Sequence, residues 1–285
     1  MIVSMTGFGK EESQFKNKKI TIEIRTLNSK NIDLNFKTPY SYRELESSLR
    51  GVANKELIRG KIDVSIFVDN SGVESNAVLN QKIIGNYIEQ LKEIHDSDTT
   101  ELLKMAVRLP DALKVEKETL EEAEKEVVKT LFGQTLTRVN QHRTNEGKAL
   151  ENDFKTRLDI LSQLLEKAIA IDPERKIRVT EKLNSSLAQL QIEVDENRLE
   201  QELIYYLEKY DITEEKVRLA NHINYFSEIM ENDHPNGKKL GFIAQEIGRE
   251  INTIGSKANH AGLQKIVVQM KDELEKIKEQ LLNVL

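Results

Sequence analysis

Alternating apolar and polar residues dominate the first part of the chain. From Lys19 to Leu27, Ile20, Ile22 and Ile24 point one way and Thr21, Glu23 and Arg25 the other, the period of a strand with one buried face. Ile32, Leu34 and Phe36 repeat the pattern, as do Ile62, Val64, Ile66 and Val68. The apolar run Ile2–Phe8 predicts a further strand. Asn28-Ser29-Lys30-Asn31 predicts a hairpin connection between the second and third strands. Pro39 ends the third strand. Between Tyr42 and Leu57 the spacing becomes helical, with Leu45, Leu49, Val52 and Ala53 on one side. The expected order is β-β-β-α-β.

Beyond Ser71-Gly72 the strand signal fades and helical spacing takes over. Val78–His95 predicts a helix, and Arg108-Leu109-Pro110-Asp111 a break. From Thr119 to Ile171 the chain is dense in Glu, Lys, Leu and Ala, a long-helix composition. Gly133 and Gly147 are candidate interruptions. Leu150, Phe154, Leu158, Leu161, Leu165 and Ala168 keep a three-four spacing that forms a packing seam. Asp172-Pro173 predicts a helix boundary, because proline favours the first turn of a new helix. Further helices are expected over Glu174–Leu190, Glu196–Tyr210, Glu214–Met230, Lys238–Lys257 and Gly262–Leu282. The stretch from Glu231 to Gly237 is the clearest loop. The fold class is therefore α+β: a β-β-β-α-β region followed by a long, mostly helical middle and C-terminal region. The expected division is 1–150 for an N-terminal α+β region with a helical extension, 151–200 for a helical connector, and 201–285 for a helical C-terminal domain.

Composition narrows the chemistry. With no cysteine among 285 residues, a disulfide framework, a thiolate nucleophile and a Cys-ligated metal are excluded. No segment has the roughly 18 apolar residues of a membrane span, and the start of the chain lacks a secretory pattern, so a soluble cytoplasmic protein is expected. The net charge of −6 argues at first against nucleic acid. Its distribution points the other way: Lys10–Lys61 carries 12 Lys and Arg against 7 Asp and Glu, and His234–Lys265 carries 5 against 2. A local basic face matters more to phosphate contact than the total. Aromatic residues make up only 5% of the chain and tryptophan is absent, so base stacking is expected to be a minor contributor.

Lys238–His260 is the most informative stretch. At about 100° per residue, Leu240, Ile243, Ile247, Ile251 and Ile254 form a core stripe. Gln245, Glu246, Arg249, Glu250, Asn252, Thr253, Ser256 and Lys257 are assigned to a polar stripe, and Gly241, Ala244, Gly248 and Gly255 to a strip of small residues. The polar stripe reads either as a solvated face or as a site. Glu246 and Glu250 repel mildly at this spacing, and a shared divalent cation such as Mg²⁺ or Mn²⁺ would reverse that sign. Arg249 and Lys257 suit phosphate oxygens. Each glycine costs about 1 kcal/mol relative to alanine in a helix, which close packing or close RNA approach would offset. Among the histidines, His222 is a candidate metal ligand or general acid, or else a packing residue. His260 lies just past the stripe, His234 falls in the loop, and His95 and His142 have no supporting constellation. No Walker-type loop, G-x-S-x-G or His-Glu-x-x-His motif occurs.

Several blocks resemble one family. Ser4-Met5-Thr6-Gly7-Phe8-Gly9, Arg25-Thr26-Leu27-Asn28-Ser29-Lys30, Arg59-Gly60-Lys61-Ile62-Asp63, Arg143 with Glu146-Gly147, and Asp211-Ile212-Thr213-Glu214-Glu215 are similar to blocks of the YicC/YloC endoribonucleases. So is the run from Gly237-Lys238-Lys239-Leu240 through Gln245-Glu246 and Arg249-Glu250 to Asn252-Thr253-Ile254-Gly255-Ser256-Lys257. The resemblance implies an endonuclease, a hydrolase of RNA phosphodiester bonds. It also implies dependence on a divalent metal, with no small-molecule cofactor, and a homohexamer that opens and closes around RNA. On that reading Glu246 and Glu250, with His222, are catalytic and hold the metal. Arg249 and Lys257 bind the scissile phosphate, and Lys238, Lys239, Arg25, Lys30, Arg59 and Lys61 guide the RNA backbone. Relatives often carry an acid where this chain has His260, so His260 is either a substitute ligand or not catalytic. The alternative function is a non-catalytic RNA-binding adaptor that presents RNA to another nuclease. A third reading makes the polar stripe a subunit interface.

Overall fold

The computed structural model describes residues 2–70, 77–95, 98–115, 120–190, 196–231 and 236–285. Ser71-Gly72, His234 and most of the expected 231–237 loop lie outside them. Strands β1 (Gly7–Phe15), β2 (Lys18–Leu27), β3 (Ile32–Lys37) and β4 (Gly60–Asn70) form one sheet in the order β1-β2-β4-β3, with helix α1 (Arg43–Glu56) between β3 and β4. The alternation works as expected: Ile20, Ile22, Ile24, Ile62 and Val64 are all fully buried, against Leu45, Leu49 and Ala53 of α1. Val52 stays 43% exposed.

Two strand expectations change. Residues 28–31 do not close a hairpin, because β3 pairs in parallel with β4 and β2 pairs antiparallel with β4. Alternation fixes which face of a strand is buried, not which strand lies beside it. The first strand begins at Gly7 rather than Ile2. Ile2 joins a different core, and Ser4 bridges to Val284.

A small unit follows. β5 (Ala77–Leu79) pairs with β6 (Leu113–Val115) around α2 (Gln81–Ile94) and α3 (Thr99–Ala106). The expected helix start at Val78 is thus shifted. The Asn80 side chain accepts from the Ile83 N–H at 3.5 Å, and the helix begins after it.

Helix α4 (Glu122–Leu190) then runs 69 residues without a break. Val128, Leu131, Phe132, Leu136 and Val139 cover the sheet. Phe154, Leu158, Leu161, Leu165 and Ala168 of the same helix enter a second core, with α6 (Thr213–Glu231), α7 (Gly237–Lys257) and α8 (Ala261–Leu281). Helix α5 (Glu196–Lys209) precedes α6. Neither glycine interrupts α4, and Asp172-Pro173 does not end it. Pro173 removes one helical hydrogen bond, but the turn before it is anchored: Ala168 is buried in the second core, and Asp172, 4% exposed, accepts from Lys216 Nζ of α6 at 2.7 Å.

The two cores meet at a joint made by both ends of the chain. The Met5 N–H donates to the Asn283 carbonyl (2.7 Å), the Leu285 N–H to the Val3 carbonyl (3.0 Å), and the Gly237 N–H to the Leu285 carbonyl (2.8 Å). Arg143 is 2% exposed. Its Nε–H donates to the Ser4 carbonyl at 2.9 Å, its Nη2 to the Arg59 carbonyl at 3.5 Å, and the Ser4 N–H returns a bond to the Arg143 carbonyl at 3.0 Å. Burial alone lowers the Arg143 pKa to about 10. Beside it, a Cβ on Gly147 would collide with the Ile2 carbonyl, so this position on α4 must be bare.

Candidate active site

Helix α7 packs against α6 and α8. Leu240, Ile247, Ile251 and Ile254 are fully buried and Ile243 nearly so. Two glycines of the small-residue strip take α8: a Cβ on Gly248 would stand 3.1 Å from Leu274 Cδ2, and one on Gly255 3.0 Å from Val267 Cγ1, whereas at Gly241 nothing lies within 4 Å. Gly248 and Gly255 are used for close helix packing, with no room left there for RNA.

The polar stripe is less uniform than the residue types suggested. Arg249 and Glu246 are exposed, with side chains 73% and 50% accessible, and meet loosely at 3.9 Å. Glu250 is only 4% exposed. The helical angle explains this, since Glu250 lies about 20° from Ile243 and about 100° from Arg249, on the shoulder of the core face. Its carboxylate has no hydrogen bond or ion pair among the described residues.

Lys257 is not free either: its Nζ donates to Glu215 Oε1 of α6 at 2.7 Å. Glu215 is 7% exposed, and its second oxygen is buried without a partner. Sequence reasoning missed this carboxylate, although its block was flagged and its place in the first turn of α6 was legible. Lys257–Glu215, together with Lys239 Nζ lying 5.1 Å from the Tyr225 ring centre, sets α6 antiparallel to α7. His222, on the same helix α6, is half-buried. Among the described residues, no three His, Asp or Glu side chains converge as a metal-holding group. The expected trio of Glu246, Glu250 and His222 is therefore not gathered into one metal-holding group: Glu246 and Glu250 lie one turn apart on α7, and His222 stands on α6.

His260 has a visible task. Its Nδ1 accepts from the Leu263 N–H at 3.2 Å and caps α8, while Asn259 makes the left-handed turn between α7 and α8 (φ 27°). Aspartate is a strong N-cap, so an acid and a histidine can exchange here for capping reasons.

The expected RNA-guiding cations are dispersed. Arg25 and Lys61 are exposed on the sheet, Arg25 lying 5.4 Å from the Phe8 ring centre, and Lys30 is exposed on the connection from β2 to β3. Lys238 and Lys239 are exposed at the start of α7. Arg59 is half-buried, its Nη2 donating to the Val284 carbonyl at 2.8 Å and its Nε buried without a partner. It serves the joint.

A sheet module and a helical bundle threaded on one helix, with a carboxylate pair and an exposed arginine on α7, define a two-part α+β protein whose polar helix suits a phosphodiester. Comparison with known proteins makes this specific. Residues 2–152 match the N-terminal region model of the YicC-like endoribonucleases and residues 168–285 the C-terminal model. The chain belongs to this family. It is 34% identical to a probable endoribonuclease YicC of Clostridioides difficile (strain 630) and 29% identical to one of Haemophilus influenzae, each match covering both chains completely. Among the described residues, no helix is long and apolar enough to cross a membrane.

Proposed function

We propose that this protein is a metal-dependent endoribonuclease that hydrolyses RNA phosphodiester bonds in the cytoplasm, working as a homohexamer. The names of its relatives support the endoribonuclease activity. The observation that carries the site assignment is Glu250: buried, unpartnered among the described residues, and one turn from Glu246. Two carboxylates on one helix fit a hard divalent cation of the Mg²⁺ or Mn²⁺ type, which takes its remaining ligands from water and substrate phosphate. Such a cation, when bound, supplies positive charge to the phosphate oxygens and favours attack at phosphorus.

The remaining roles fall to the chain's own groups. Glu246 and Glu250 hold the cation at the core edge of α7. Arg249, only loosely tied to Glu246, swings onto the non-bridging oxygens of the scissile phosphate. His222 is the candidate donor of a proton to the leaving oxygen. Lys257 reaches a phosphate only by releasing Glu215. Arg25, Lys30, Lys61, Lys238 and Lys239 steer the RNA backbone, which weakens binding as salt rises.

The test is cleavage of an end-labelled RNA hairpin with Mn²⁺, Mg²⁺ or EDTA, by wild type and by Glu246→Gln/Glu250→Gln protein of unchanged native mass. Metal-dependent cutting by wild type alone is expected. Equal cutting by both removes the site from α7. RNA binding without cutting by either makes the protein an adaptor.

A further inference from the structure

Along the outer edge of β1, beside α4, runs an open groove of about 740 Å³, lined by Phe8, Lys10, Arg138, Gln141, His142 and Asn145. A shallower one, lined by Thr137, Asn140 and Thr144 together with Gln141 and Asn145, continues it along α4. We propose that this groove binds an unpaired RNA nucleotide, stacking its base on Phe8 and reading its edge with the amides of Gln141 and Asn145. This rests on the reading that the substrate is RNA. It lies on β1 and α4, away from the carboxylates of α7.

Three observations carry it. Phe8 projects from an edge strand and is 39% exposed. The guanidinium of Arg25, its registered partner on β2, lies 5.4 Å from its ring centre. An aromatic ring and a guanidinium plane together are a stacking platform for a base. Next, Gln141 and Asn145 lie one turn apart on α4, exposed, and their amides make no hydrogen bond among the described residues. An amide offers a donor and an acceptor together, as the edges of nucleobases do. Lastly, no Asp or Glu occurs from Val127 to Asn145 although 48 of the 285 residues are acidic, and the next acid, Glu146, is held by the Thr6 hydroxyl and lies 3.8 Å from His142. The two carboxylates at the groove are neutralised: Glu11 by Arg138 at 2.6 Å, and Glu12 by Lys19 at 2.6 Å and Lys10 at 3.3 Å. With its charges paired off, the groove recognises bases rather than phosphates.

The experiment uses the full chain in EDTA, titrated into a fluorescein-labelled, mixed-sequence single-stranded RNA over a series of KCl concentrations, with native mass measured in parallel. Phe8→Leu and Gln141→Ala/Asn145→Ala are each expected to weaken binding by about 5- to 100-fold, with the salt dependence unchanged. Phe8→Tyr is expected to restore binding to within about twofold of wild type, as stacking requires and mere apolar packing does not. If wild type binds and cuts RNA while Phe8→Leu and the α4 double variant bind equally well, the groove is idle and the proposal fails with the nuclease assignment intact. If wild type neither binds nor cuts RNA, both fail. If Phe8→Leu changes native mass instead of affinity, the β1 edge pairs with another copy and the proposal is overturned.

Discussion

Replacing Arg143 by methionine tests the joint between the two cores. The guanidinium is 2% exposed and is held by the carbonyls of Ser4 and Arg59. Its pKa falls to about 10 through burial, a displacement that corresponds to about 3 kcal/mol of unfavourable desolvation. Against this stand two charged hydrogen bonds worth about 1.5–3 kcal/mol each, and two carbonyls that lose their donor at about 1–3 kcal/mol each. Arg143→Met relieves the first and forfeits the rest, for a net loss of at least about 2 kcal/mol. In a protein of this size that lowers Tm by at least about 3 °C. The sign of the pH effect also follows. Above about pH 10 the folded chain gives up this proton before the unfolded one, so the Arg143 contribution becomes more favourable as pH rises past that point and is flat below it. Circular-dichroism melting at neutral pH gives the first number, and hydrogen exchange at the Ser4 amide, which donates to Arg143, reports the joint itself. A Tm unchanged within about one degree, with Ser4 still protected, would refute the reasoning.

Other substitutions probe single contacts. Gly147→Ala should destabilise by about 1–3 kcal/mol or more, because its Cβ meets the Ile2 carbonyl. Gly133→Ala, where nothing lies within 4 Å, should stabilise by up to about 1 kcal/mol; urea midpoints that rank the pair the other way would overturn the packing argument. Glu250→Gln should lower cleavage by at least about 100-fold while leaving the melting temperature equal or higher, since it removes a buried charge; a large loss of stability would mark Glu250 as structural. His260→Ala should cost about 1 kcal/mol through the lost cap with metal-dependent cutting unchanged, and His260→Asp should keep the stability; loss of cutting in the alanine variant alone would make His260 a ligand after all.

Much of the fold was legible because burial has a period. Ile20, Ile22 and Ile24, and the stripe from Leu240 to Ile254, went to the core as their spacing required. What spacing cannot reveal is the neighbour. Leu34 and Phe36 alternate equally well beside β2 or beside β4, and only the crossover through α1 decides. Pro173 misled because the local penalty of a proline is outweighed by Asp172–Lys216, a contact 44 residues apart in sequence. At the site, the helical projection was drawn with Glu250 in the arc opposite the core, whereas it stands about 20° from Ile243, at the core edge, and is 4% exposed. Lys257 and Arg59 read as free cations, since nothing local announces partners at Glu215 and Val284. Phe8 was passed over because a low aromatic content says nothing about where one ring stands.

The continuous α4 makes the molecule sensitive to length. The sheet is gripped by residues up to Val139 and the bundle from Phe154 onward, so these two grips sit on one rigid screw. One inserted residue between them would turn the bundle's seam by about 100° and shift it about 1.5 Å relative to the sheet. Seven inserted residues would nearly restore the angle but lengthen the spacing by about 10 Å, pulling Ser4 away from Val284. Loops elsewhere can grow or shrink at little cost. The stretch between Asn140 and Asp153 cannot, and functional variants of this chain should keep its residue count fixed while its exposed side chains drift.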